Sequence, residues 1–191
     1  MKLFKNIKKW LENQEHLFYL FLLILIVPNI ILCFTEPMPV VAKVCNVLLP
    51  FAFYYLLMTL SRNCGKMFWI LFLFIFFGAF QIVLLYLFGQ SIIAVDMFLN
   101  LVTTNSSEAM ELLDNLVPAL VSVIILYIPA LILAAISIIK KRKLSPEFIR
   151  RERKKAWIAL LIGFISLGAA YGLDKRYELK SDLYPANVCY N

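Results

Sequence analysis

Four polar residues recur at every fourth position of one segment: Asp96, Asn100, Thr104 and Glu108. On a continuous helix each such step turns by about 40°, so the four fall on one broad face. That face offers two carboxylates, an amide and a hydroxyl. Such a set suits a cationic group that also carries polar oxygens, such as ethanolamine on a phospholipid. The same residues admit a structural reading. Asn105-x-x-Glu108 has the form of a capping box, with a helix beginning near Ser106 and Glu108 satisfying backbone amides. Both readings hold together if the cap turns its second carboxylate oxygen outward. Asn105, Ser106 and Ser107 also form a glycosylation acceptor sequence.

Lys43 is a second candidate, placed inside an otherwise apolar run. Its ammonium can snorkel to the nearby surface or hold an anionic phosphate there. His16 is the sole histidine, and the cysteines at 33, 45, 64 and 189 form no C-x-x-C pair. The sequence therefore indicates no metal site and no redox motif. Cys33 and Cys45 are either buried small hydrophobes or partners in a disulfide in an oxidising compartment.

These residues must be positioned by a very apolar chain. Of its 191 residues 62% are hydrophobic, and the mean hydropathy is +0.82. That excludes disorder, and a soluble globule could not absorb so much apolar surface. Five runs reach the roughly 17–25 residues a spanning helix needs: 16–34, 39–60, 67–88, 116–139 and 156–173. A strand alternation is absent, so the expected fold class is all-α, a polytopic membrane protein of five spans. Ile92, Ile93, Val95, Phe98 and Leu99 predict amphipathic helices in the connection 91–115, lying on the outer membrane surface. Lys2, Lys5, Lys8 and Lys9 resemble a signal-peptide start, but the first run is long and no small-residue cleavage site follows, so it is read as a retained helix. Pro28, Pro50 and Pro129 are expected to kink their spans.

Charge sets the expected orientation. Lys140–Lys155 holds nine basic residues, and 91–115 holds none. Placing the N-terminus inside puts fifteen basic and four acidic residues on the cytoplasmic side, against four basic and eight acidic outside. This obeys the positive-inside rule and puts the C-terminus outside. The basic run reads as a topology signal and an anionic-lipid contact. It lacks the aromatic interleaving of a nucleic-acid groove. Within it, Ser145, Pro146 and Glu147 read as an N-cap, a first-turn proline and a first-turn acid. Gly168-x-x-x-Gly172 and Ala159-x-x-x-Gly163 allow close helix approach, either inside the bundle or between two copies.

The pair Asp96–Met97 followed by Asn100-x-x-x-Thr104-x-x-x-Glu108, after the third of five spans, resembles the signature of bacterial phosphoethanolamine transferases. These are the lipid A-modifying and colistin-resistance enzymes of the alkaline-phosphatase and sulfatase superfamily. Tyr184–Pro185–Ala186–Asn187 is similar to the family's segment leading out of the fifth helix. The resemblance implies a five-helix membrane domain over 1–173 and, over 174–191, the start of a linker to a periplasmic catalytic domain. It implies that Asn100, Thr104 and Glu108 line the donor site for phosphatidylethanolamine, with the ammonium near Glu108 and Asp96 as a further candidate. Zinc and a threonine nucleophile belong to the catalytic domain, so this chain by itself is expected to hold no catalytic residue. The implied partners are phosphatidylethanolamine, that domain and an acceptor such as lipid A, in the inner membrane of a Gram-negative bacterium. Two alternatives stay open: the membrane domain of a phosphoglycerol transferase, or a stand-alone transporter or lipid-binding protein. The transporter reading needs polar residues at mid-bilayer, for which Asn29, Asn46 and Gln81 are the candidates.

Overall fold

Apolar runs of this length become helices because a backbone amide withdrawn from water must be paired within its own segment. The computed structural model describes residues 10–35, 39–88 and 106–177, and every regular element among them is helical. In chain order these are α1 (Gln14–Thr35), α2 (Val40–Met58), α3 (Cys64–Ile70), α4 (Phe72–Phe88), α5 (Ser106–Ile139) and α6 (Pro146–Tyr177). Among the described residues three stretches are long and apolar enough to cross a membrane: α1, α2 and Leu120–Ile139 of α5. Large side chains such as Ile124, Ile125, Phe164 and Ile165 are exposed. An apolar exterior of this kind marks a membrane protein.

The first two expected spans correspond to α1 and α2 to within two residues at each end. The third is divided at Leu71 into α3 and α4. The axis nonetheless continues: the Leu71 N–H donates to the Met67 carbonyl at 3.0 Å, and the Leu71 carbonyl accepts from Ile75 at 3.1 Å. The fourth and fifth runs are the later parts of much longer helices of 34 and 32 residues. Residues 106–115 are thus the first turns of α5 rather than a separate surface helix. The rest of the 91–115 connection lies outside the described residues, as does the 178–191 tail.

Local sequence sets the helix ends. Asn13 opens α1, its Oδ1 accepting from the Glu15 N–H at 2.9 Å. Ser145 opens α6, its hydroxyl accepting from the Phe148 N–H at 3.2 Å, with Pro146 at the first position, where its missing N–H costs nothing. α5 closes in a Schellman arrangement. Arg142 N–H reaches the Ser137 carbonyl and Lys141 N–H reaches that of Ile138, with Lys141 at a φ of 51°. That left-handed position normally takes glycine.

α2 packs along α6 and against α1, while α5 packs on α3 and α4. The core gathers Phe18, Phe21, Tyr55, Met58, Phe68 and Phe148, and the Phe21 and Phe68 rings stack at 4.4 Å. Two close approaches depend on missing side chains. A Cβ on Gly65 would collide with the Ala134 carbonyl of α5, and one on Gly163 would press on Leu49 of α2. Gly168 and Gly172 differ. A Cβ there meets nothing within 4 Å among the described residues, so this small-residue pair packs against no described helix.

Candidate functional site

Of the polar residues expected to do chemistry, Lys43 and Glu108 lie within described helices. Asp96, Asn100 and Thr104 lie outside the described residues. Glu108 is the third residue of α5, whose start at Ser106 agrees with the capping-box reading of Asn105 and Glu108. α5 and α2 both begin at the end where α1 finishes, so Lys43 and Ser106 belong to the same end.

Lys43 sits one turn into α2 and is half-buried. With Cys33, Val44, Val47, Leu48 and Phe51 it lines an open groove of about 440 Å³. The Cys33 thiol donates to the Lys43 carbonyl at 3.4 Å and tethers that turn of α2 to α1. Cys33, Cys45 and Cys64 are all free thiols, so no Cys33–Cys45 disulfide is present.

Asn29 and Asn46 do not line a path. The Asn46 amide donates to the Asn29 carbonyl at 2.9 Å, and the Asn29 amide donates to the Asn46 side-chain oxygen at 3.2 Å. Both residues are buried. Paired amides of this kind join apolar helices where water cannot satisfy them. Gln81 carries a side chain outside the described set.

The opposite end is where sequence reasoning missed most. Glu152 lies in a run of five cations, yet its side chain is fully buried. It accepts hydrogen bonds from the Tyr55 hydroxyl, from Arg151 at 2.8 Å and from Lys155 at 3.0 Å. Burial pushes the Glu152 carboxyl up. The bonds from Tyr55, Arg151, Lys155 and Tyr19 outweigh that and hold it down at about 2. A signal was present. Phe148, Ile149, Glu152 and Ala156 share one helical face, and all four are buried.

Around this carboxylate the helix ends are fastened by side chain to backbone bonds. Arg153 donates to the Thr59 carbonyl at 2.6 Å and caps α2. Asn63 begins α3, accepting from the Lys66 N–H at 2.8 Å, while its amide donates to the Arg142 carbonyl at 2.9 Å. Arg62 and Leu144 exchange two bonds, with Leu144 N–H to Arg62 carbonyl at 2.7 Å and Arg62 Nε to Leu144 carbonyl at 3.1 Å. Ser137 donates to Gln14 at 2.9 Å. His16 stacks on Trp10 with ring centroids 4.9 Å apart, an interfacial contact rather than a ligand position. Lys140, Lys141, Lys143, Arg150, Lys154 and Lys155 remain exposed at this end.

Among the described residues no three His, Cys, Asp or Glu side chains are grouped so as to hold a metal ion. The chain matches no known protein family, no curated protein and no solved structure.

Proposed function

We propose that this chain is the membrane domain of a phosphoethanolamine transferase. It anchors a periplasmic catalytic domain and presents phosphatidylethanolamine for transfer of its head group to an envelope acceptor such as lipid A. The observation that carries the reading is the spaced set Asn100, Thr104 and Glu108 behind Asp96–Met97, in a segment free of Lys and Arg. The helix start at Ser106 supports it, because a carboxylate in a first helical turn is favoured as the anion by the helix dipole. An anion is what an ammonium requires.

On this reading the bundle has five spans, adding 67–88 and 156–173 to the three apolar stretches. The cationic end faces the cytoplasm of a Gram-negative inner membrane. The exposed Lys and Arg residues there support that orientation. Zinc, with a threonine nucleophile, supplies phosphoryl activation in the following domain. This chain's part is to bind the ammonium at Glu108, to orient the phosphate ester through Asn100 and Thr104, and to hold the donor at the membrane surface.

The test is head-group transfer by the complete gene product, read as phosphoethanolamine-modified lipid A by mass spectrometry. Glu108→Ala and Thr104→Ala should each abolish transfer at normal membrane levels of the protein. Undiminished transfer in both variants removes the donor-site assignment. A glycerol head group is neutral, so transfer of phosphoglycerol instead of phosphoethanolamine, undiminished in Glu108→Gln, would favour the phosphoglycerol alternative.

A further inference from the structure

The groove on α2 has a pattern of its own. Val44, Val47, Leu48 and Phe51 follow i, i+3, i+4, i+7 spacing, so they form one apolar stripe. Lys43 stands at its head, and Cys33 of α1 contributes one wall. The volume of about 440 Å³ falls within the usual range of small-molecule sites, about 300–1,000 Å³. From Lys43 to Phe51 the helix rises about 12 Å, close to the half-thickness of a hydrocarbon core of about 30 Å. The groove opens sideways from two helices able to cross a membrane, so hydrocarbon is what the bilayer offers to fill it.

Charge narrows the occupant. Among the described residues no acidic side chain lines the groove, and Lys43 makes no ion pair. It sits three residues from the start of α2, where the helix dipole adds positive potential to its ammonium. The Cys33 bond holds this turn of backbone in place.

We propose that this groove seats one membrane phospholipid, its phosphate on Lys43 and an acyl chain along Val44, Val47, Leu48 and Phe51. The proposal does not rest on the transferase reading. It requires only that α1 and α2 lie in a bilayer. Because the phosphate is the recognised group, phosphatidylglycerol and phosphatidylethanolamine bind alike, while diacylglycerol, which lacks it, binds more weakly by about the worth of that contact.

The test is native mass spectrometry of the chain in mild detergent, titrated with phosphatidylglycerol, phosphatidylethanolamine or diacylglycerol of matched chains. A Glu108→Ala background keeps any donor-site lipid out of the count. One phospholipid adduct is expected with either head group, and about fivefold less with diacylglycerol. Lys43→Gln should lower the adduct about fivefold, equivalent to about 1 kcal/mol for one basic contact with a lipid phosphate, and Lys43→Arg should retain it. Val47→Trp should fill the groove and abolish the adduct. Diacylglycerol binding as tightly as phospholipid, or wild-type binding by Lys43→Gln, overturns the proposal. If Val47→Trp loses helicity by circular dichroism, the contrast between Lys43→Gln and Lys43→Arg decides.

Discussion

Glu152 of α6 accepts a hydrogen bond from the Tyr55 hydroxyl of α2, across 97 residues of sequence. This bond ties together the bundle's two most extensively packed helices. The carboxylate is buried but well supplied with donors, the condition under which a buried charge is tolerated. Tyr55→Phe removes one donor and keeps the ring's packing against Phe18 and Phe51. The expected loss is about 2 kcal/mol, typical for a hydrogen bond to a charged group, measured by denaturant titration in detergent. A change under about 0.5 kcal/mol, the usual size for an ordinary surface substitution, would show that the Arg151 and Lys155 contacts suffice alone.

The same carboxylate predicts an acid limit. Its folded pKa of about 2 lies below the ordinary 4.5, so the unfolded chain takes up a proton first as pH falls. The stabilisation from Glu152 is complete above about pH 4.5 and is lost as pH drops towards 2. Glu152→Gln should therefore be less stable at neutral pH and show a shallower decline through that window. Melting temperatures of both proteins from pH 2 to 6 check this, and parallel curves would count against it.

Two Gly→Ala substitutions should have opposite signs. At Gly65 the new methyl meets the Ala134 carbonyl, and such overpacking costs about 1–3 kcal/mol. At Gly168 the space is open, so the better helix propensity of alanine should stabilise by up to about 1 kcal/mol. Thermal unfolding of the two variants under one condition reads both signs. Destabilisation by Gly168→Ala would instead indicate that a second copy approaches there.

Lys141 closes α5 in the left-handed region, which costs a side-chain-bearing residue about 1–2 kcal/mol. Lys141→Gly should raise stability by about 1 kcal/mol or slightly less, since glycine also loosens the unfolded chain. No change in melting temperature would mean that the turn has relaxed.

The first two spans and the opening of α6 were legible because each is local. Hydropathy reads out α1 and α2, and Ser145 with Pro146 announces a helix start whatever surrounds it. Glu152 was hidden because counting charges along a run averages over the face that matters. Its neighbours at Phe148, Ile149 and Ala156 mark that face, but the tyrosine donors come from α1 and α2. Spacing likewise showed that Gly168 and Gly172 share a face without showing what that face meets. Asn29 and Asn46 looked like polar points along a path until their pairing appeared. The donor-site pattern at Asp96, Asn100 and Thr104 lies outside the described residues, so it rests on sequence spacing.

The length of α5 has a mechanical consequence. At 34 residues it is about 51 Å long, against about 30 Å of hydrocarbon. Its packed end is anchored where Ser137 and Arg142 meet Gln14 and Asn63. A tilt of about 10° at that anchor sweeps Ser106 through about 9 Å, the arc of a rod of this length. Because α5 also packs on α4, such a tilt would carry α4 with it and couple small displacements at the anchored end to larger ones at the start of the helix.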